Sequence, residues 1–288
     1  MFAYLILAHA HPQQLARLVR ALRHPEVHLY IHLDAKTELK TFEQVISGED
    51  VFFVKSREKV AWGAYSLVQA TLNGFAEITR SGYPYTYVHL LSGQDYPLIP
   101  YETMAGFFRE NAGKQYMEFY PVEDVWTEAL PRLRKYHFVN FDFPGKFFAE
   151  RVVNAIMPAR TMPDDLVAVG RSQWFSITPE AIRYMLGYLG RHPEVVRFFR
   201  LTWGVDELIF QTLLYNSPFR EHLVNDNLRY IDWSAGGASP KNLTNADWPA
   251  IEASGKFFAR KFTENESILD RIDQSKLRPG GRNQVFGI

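Results

Sequence analysis

An α/β fold built on a parallel sheet is what this chain predicts, and three observations carry the prediction. Residues 3–33 read strand, helix, strand, the βαβ unit that joins parallel neighbours. Residues 85–91 form a near-continuous apolar run, as expected of a strand covered by helices on both faces. Hydrophobic residues make up 47% of 288 and charged residues 22%, enough apolar surface for one large core.

The elements follow in order. Residues 3–8 are the first strand. His11-Pro12 opens a helix with Leu15, Leu18, Val19 and Leu22 on one face and Gln14, Arg17 and Arg20 off it, the 3.6-residue spacing of an amphipathic helix. Residues 27–33 make a second strand ending at Asp34, and 51–54 a short third. After Trp62-Gly63 a helix over 64–80 carries Leu67, Ala70, Thr71, Gly74 and Phe75. The fourth strand, 85–91, ends at Ser92-Gly93-Gln94-Asp95. A helix over 101–110 and a strand over 115–120 come next, and 121–165, rich in Pro, Phe and Arg, read as irregular. A strand over 171–177 leads into Thr178-Pro179-Glu180, which starts a helix with proline at its first position. A helix carrying Asp206 runs to Tyr215, and 218–288 read as loops with a short strand near 229–233. No repeat or low-complexity linker divides the chain, so 1–288 read as a single domain with a nucleotide-binding front half, 1–100, and an irregular back half, 101–288.

Charge and composition exclude several classes of function. Lys plus Arg equals Asp plus Glu at 32 each, so no global field gathers nucleic acid or an anionic membrane, although local basic clusters remain compatible. Aromatic residues reach 15%, which suits a large core and also a sugar-binding cleft. The absence of cysteine removes disulfides, thiolate metal sites and a cysteine nucleophile, and fits a reducing compartment. Residues 1–8 are apolar but lack a basic leader, so they read as a buried strand and not a signal peptide. No run approaches the roughly 20 apolar residues of a membrane span. The expected location is the cytoplasm, with attachment to the periphery of a membrane as the variant.

The segment Leu201-Thr-Trp-Gly-Val-Asp-Glu-Leu-Ile-Phe210 sets two adjacent carboxylates beside a Trp-Gly break at the mouth of an apolar helix. An acid fixed there suits a general base, which needs a defined position and charge state. Helix capping by Asp206, with Glu207 complementing the helix dipole, explains the same residues. In a parallel sheet, ligands sit beyond the carboxyl ends of the strands. Those ends are Ala8-His9, Asp34, the stretch from Arg57 to Trp62, and Ser92 to Asp95, and their polarity points to one cleft. Asp34 suits a base or ribose, or else simply turns the chain. His9 and His11 are potential ligands, with His11 better read as locally satisfied. No two aspartates stand two positions apart, so the Asp-x-Asp clamp for a metal diphosphate is missing, and Ser92-Gly93-Gln94-Asp95 supplies one carboxylate only. A bound diphosphate then needs basic side chains, for which Lys241, Lys256, Arg260 and Lys261 are candidates. The competing reading makes the basic residues of 255–262 a solvated helix face. Neither G-x-G-x-x-G, a Walker loop, G-x-S-x-G nor H-E-x-x-H occurs.

The ordered set Tyr4-Leu-Ile-Leu-Ala-His9, the Leu15 to Leu22 helix, Tyr30-Ile-His-Leu-Asp34, Val60-Ala-Trp-Gly-Ala-Tyr-Ser-Leu-Val-Gln69, Leu90-Leu-Ser-Gly-Gln-Asp-Tyr-Pro97, Gln173-Trp-Phe-Ser-Ile-Thr178, Trp203 to Glu207 and Phe258-Ala-Arg-Lys-Phe262 spans most of the chain. It resembles the core-2/I-branching β-1,6-N-acetylglucosaminyltransferases of glycosyltransferase family 14, which also includes the peptide O-xylosyltransferases. The resemblance implies a GT-A-like α/β sheet of Rossmann type, an inverting mechanism, a UDP-sugar donor and no metal cofactor, with the acceptor and catalytic groups in 101–288. N-acetylglucosamine is the first donor expected and xylose the second. The acceptor is a hydroxyl of a glycan, a lipid-linked sugar or a protein. The resemblance maps the base onto Glu207, and Asp34 and Trp62 onto the uracil site beside Ala8 and His9. It maps the diphosphate onto Lys261, with Arg260 beside it and Lys241 as the second basic residue, and gives Asp95 the place of the displaced metal motif. Trp233, Asp206, Arg132 and Lys135 fall on the acceptor side. Two rivals remain: a non-catalytic nucleotide- or sugar-binding module on the same fold, and an unrelated α/β protein whose acidic pair is only a cap.

Overall fold

The computed structural model describes residues 1–263 and 266–276. Seven strands form the main sheet: β1 (Phe2–Ala8), β2 (Val27–Leu33), β3 (Val51–Phe53), β4 (Tyr87–Ser92), β6 (Gln115–Pro121), β7 (Val169–Ile177) and β8 (Leu223–Asn225), in the order β3-β2-β1-β4-β7-β6-β8. A second sheet places β5 (Tyr96–Pro97) and β9 (Arg229–Ile231) on either side of β10 (Phe258–Arg260).

β1 organises the main sheet. It pairs in parallel with β2 from Phe2↔Val27 to Ala8↔Leu33, and with β4 from Phe2↔Tyr87 to Leu7↔Ser92. All seven of its residues are buried, and they divide with a strict period of two. Ala3, Leu5 and Leu7 enter one core with Val68 and Phe75 of the helix Tyr65–Arg80 and with Phe175 and Phe210. Phe2, Tyr4, Ile6 and Ala8 enter the other, with Leu15 and Leu18 of the helix Pro12–Leu22 and Phe107 and Phe108 of the helix Tyr101–Glu110. A strand apolar on both faces is stable only when helices cover both, which is the arrangement seen.

The parallel order stops at β4. β7 runs antiparallel beside it through Val88↔Ile177 and His89↔Ser176, β6 runs antiparallel to β7, and β8 is parallel to β6. The carboxyl ends of β1, β2 and β4 therefore open onto a face whose other wall is supplied by β6 and β7.

In the front half every expected element is present within two residues at each boundary, although the helix Leu39–Glu43 and β5 were not expected, and the back half departs further. Residues 121–165 contain the helices Leu130–Arg134 and Lys146–Ile156. None of the side chains of Lys146–Ile156 is buried, so its apolar residues mark no core-facing stripe. The helix Pro193–Arg200 buries only Val195 and Phe199, too few to display a helical period in a sequence. In the tail the short strand expected near 229–233 is β9, but the stretches expected as loops also hold β8, β10 and the helices Trp248–Ala253 and Glu266–Lys276, while 277–288 lie outside the described residues. The basic stretch 255–262 is not a helix face. Its Phe257, Phe258 and Phe262 are fully buried around β10. Among the described residues, no helix is long and apolar enough to cross a membrane.

Candidate active site

A cleft of about 970 Å³ opens at the carboxyl ends of the parallel strands. Ala8 and His9 after β1, Asp34 after β2, and Ser92 and Gln94 after β4 line one side, with Trp62 above them. Asp34 is buried and has a local task as well. Its Oδ1 accepts the Lys36 backbone N–H at 2.8 Å, and Oδ2 lies 3.4 Å from Lys36 Nζ. Asp34 thus turns the chain as the simpler reading expected and also lines the cleft. His9 lines the cleft, whereas His11 sits in a left-handed conformation at the start of the helix Pro12–Leu22.

Two Trp-Gly pairs build the rim. Gly204 N–H donates to the Gly63 carbonyl at 2.8 Å, and the rings of Trp62 and Trp203 meet edge to face at 5.3 Å. Gly63 and Gly204 have φ of 67° and 65°, the left-handed region that favours glycine. Space also demands glycine at 204, because a Cβ there would stand 2.6 Å from Arg132 Nη1. Arg132 instead lies over Trp203 at 4.6 Å and Trp126 at 5.0 Å, and its Nη1 donates to Glu207 Oε2 at 2.7 Å. Cation–π contact and a charge-assisted hydrogen bond together fix the guanidinium.

The acidic pair stands on a single 3-10 turn, Val205–Glu207, and the α-helix begins only at Ile209. Neither Asp206 nor Glu207 caps that helix, so the capping explanation fails. The turn presses directly on β7. A Cβ at Gly170 would lie 2.2 Å from the Glu207 carbonyl oxygen. Glu207 lines the cleft, and its Oε1 accepts no hydrogen bond among the described residues. Asp206 is buried, and its Oδ1 has no hydrogen-bond partner among the described residues. Burial, and then the charge of Glu207, push its carboxyl up to about 7.

Lys261 and Arg260 line the cleft beyond β10. Lys261 Nζ donates to Ser239 Oγ at 2.6 Å, and the Arg260 guanidinium lies 4.1 Å over the Trp174 ring. Trp62 and Trp233, 63% and 53% exposed, stand at the opening. Three residues expected at the site do not line it. Asp95 is buried beneath, accepting from Ser92 N–H at 3.1 Å and Ser92 Oγ at 2.8 Å and lying 3.3 Å from Arg260 Nε. It organises the loop beneath the cleft. Lys241 is drawn away by Asp247 at 2.5 Å and Asp232 at 3.9 Å. Lys135 is exposed outside the cleft. Among the described residues, no group of three or more His, Cys, Asp or Glu is placed to share a metal ion.

The family profile for the core-2/I-branching enzymes matches residues 2–258. The chain belongs to that family. Xylosyltransferase 2 of Rattus norvegicus is 26% identical over 300 residues, taking in 94% of this chain and 33% of the rat protein. Xylosyltransferase oxt of Drosophila melanogaster is 24% identical over 298 residues, covering 91% and 32%. The chain thus spans about a third of the length of these relatives. Among solved structures, the galactosyltransferase LgtC with donor and acceptor sugar analogues aligns over 99% of this chain and 97% of its own, at 8% identity and a TM-score of 0.47. Mouse xyloside xylosyltransferase 1 aligns over 90% and 97%, at 11% and 0.40. The α/β class with a parallel-rich sheet, expected from the sequence, is the one observed.

Sequence reasoning missed the far wall of this family member's cleft. Glu118 on β6, Arg171 on β7 and Asp226 all line it, joined by Lys256. Lys256 pairs with Asp226 at 2.7 Å, and Glu118, its carboxyl pushed up by burial, accepts from Asn227 Nδ2 at 3.2 Å. The available signal was polar: Arg171-Ser172-Gln173 interrupts an otherwise apolar strand.

The Asp206 shift sets a sign for stability against pH. Its folded value exceeds the unfolded 3.8, so the folded protein keeps a proton that the unfolded chain releases, and stability falls as pH rises from about 4 to about 7. Asp206→Asn removes this loss. Urea midpoints measured from pH 4 to 8 are expected to diverge in favour of the variant as pH rises, and parallel profiles would contradict the burial of an ionisable Asp206.

Proposed function

We propose that the cleft transfers a sugar from a UDP-sugar to an acceptor hydroxyl, with inversion and without a metal ion. One observation carries the reading: Glu207 shares the cleft with the carboxyl ends of the parallel strands, one carboxylate oxygen held by Arg132 and the other without a partner among the described residues. Glu207 takes the proton of the acceptor hydroxyl, whose oxygen attacks the anomeric carbon. The bond from that carbon to the β-phosphate oxygen breaks, and its electron pair leaves on UDP. Displacement from the opposite face inverts the carbon, and the proton ends on Glu207.

The departing diphosphate needs positive charge in place before the bond breaks. Seven basic and five acidic side chains line the cleft, which leaves the walls net positive. Lys261 is the first candidate, since no carboxylate pairs with it among the described residues, and Arg260 stands next to it in the chain. Arg171 replaces Lys241 as the candidate second cation, because it lines the cleft and, although its charge acts on Glu118, forms no ion pair within 4 Å among the described residues. Trp62 offers a ring face to the uracil beside Asp34, and Trp233 offers one to the acceptor sugar. The lack of an Asp-x-Asp pair supports this cation-based reading.

The sequence resemblance puts N-acetylglucosamine first as donor sugar and xylose second. The relatives from rat and fly are named xylosyltransferases, which favours UDP-xylose as the second reading and brings it forward. The acceptor is a glycan, a lipid-linked sugar or a protein hydroxyl.

Glu207→Gln keeps the shape of the side chain and removes its basicity. Transfer is expected to fall by about 10²- to 10⁴-fold while UDP binding by calorimetry stays unchanged. Turnover equal to the wild type would remove Glu207 from the base role. Chelation provides an independent check: activity is expected to persist in EDTA, and a loss restored by Mn²⁺ would overturn the role given to the basic residues.

A further inference from the structure

The helix Lys146–Ile156 and the loop before it present apolar surface that nothing in the fold covers. Phe147, Phe148 and Ile156 are 69%, 70% and 74% exposed, and Val152, Phe141 and Phe143 are also exposed. Phe148, Val152 and Ile156 stand four residues apart, so they share one side of the helix. The opposite side is fastened by polar groups. Asn154 Oδ1 accepts from Tyr136 N–H and its Nδ2 donates to Tyr136 O, both at 2.8 Å, and Glu150 Oε2 accepts from Phe138 N–H at 2.7 Å. The apolar residues therefore contribute little to holding the helix in place. Contiguous exposed apolar surface of this kind marks an interaction face.

Charge identifies what it meets. Residues 131–160 hold six Lys or Arg against two acidic residues, and with Arg132 paired to Glu207 and Arg160 buried, Arg134, Lys135, Lys146 and Arg151 are left for this surface. Arg134, Lys135 and Arg151 are exposed on this segment. Glu150 is engaged with Phe138 N–H and stands 3.7 Å from His137 Nδ1, which leaves Asp142 as the exposed acid. Phenylalanines with basic residues around them are the composition of a helix that lies in a lipid interface, apolar side in and cations at the headgroups. A second copy of the chain fits less well, because a twofold contact would set the same basic patch against itself. We propose that this face docks the protein on an anionic lipid bilayer. The segment is tied to the cleft: it follows Arg132, which bonds Glu207, and Asn140 Oδ1 accepts from Tyr65 N–H three residues beyond Trp62. Docking there brings the acceptor side of the cleft to the membrane surface.

Co-sedimentation of the 288-residue chain with vesicles tests this, using phosphatidylcholine alone and phosphatidylcholine mixed with phosphatidylglycerol. The protein is expected to sediment with the mixed vesicles and to be released by salt. The double variant Phe147→Ser, Phe148→Ser is expected to partition about tenfold less or weaker still, with an unchanged thermal midpoint because both rings are exposed. Lys135→Glu with Arg151→Glu is expected to abolish the preference for the anionic lipid. The proposal is overturned if the wild type stays in the supernatant with mixed vesicles, or if the Phe variant sediments as the wild type does. Light scattering that shows a wild-type dimer turned monomeric by the Phe variant would also overturn it, giving the face to a second copy.

Discussion

Asp95 and Arg260 hold the two sheets together, and the placement of the cleft depends on that contact. Asp95 lies in the turn from β4 into β5, Arg260 ends β10, and their charges stand 3.3 Å apart in the interior. Burial pushes the aspartate up and the arginine down, while their attraction opposes both shifts. Arg229 at the head of β9 completes the junction, donating to Ser176 Oγ at 2.9 Å, to Phe175 O at 2.7 Å and to Leu90 O at 3.1 Å. Asp95 and Arg229 are hydrogen-bonded, whereas Arg260 Nε has no hydrogen-bond partner among the described residues and is held by the charge of Asp95 and the face of Trp174. Lys261 follows Arg260, so the contact that locks the sheets also sets a cation at the cleft.

A second constraint acts at the acidic turn. Two close approaches confine it, one to β7 at Gly170 and one to the Arg132 guanidinium at Gly204. Arg132 is itself sandwiched by Trp126 and Trp203. Glu207 owes its position to these rigid neighbours and not to a helix. A side chain fixed through its backbone and one carboxylate oxygen keeps the other oxygen available, which is what the proposed base role of Glu207 needs. Asp206, one position earlier, shares the turn and also lines the cleft, but its side chain is buried, which pushes its carboxyl up.

The parts of this architecture set by local pattern were legible in the sequence. β1 and β2 announce themselves by apolar runs of strand length, the helix between them by its 3.6-residue stripe, and the near wall of the cleft by the polar residues that end those strands. Glu207 was legible through the Trp-Gly break, although the break introduces a 3-10 turn and not the helix itself. What depends on distant partners was hidden. Asp95 looked like the remnant of a metal motif because Arg260 lies far along the chain, and Lys241 looked available because its pairing with Asp247 forms only when the loop folds. Glu118 and Arg171 reach the cleft through the β6–β7 pairing, a register that no local spacing encodes. The helix Lys146–Ile156 escaped notice since its apolar side faces outward, where patterning signals no core.

The most direct measurement is release of UDP from a panel of UDP-sugars in the absence of acceptor. The account predicts slow release from one donor above the rest, with water taking the place of the acceptor hydroxyl, and the preferred donor then names the sugar. Release from none of them, together with no heat of UDP binding by calorimetry, would contradict a nucleotide-sugar cleft and with it the reaction assigned to Glu207.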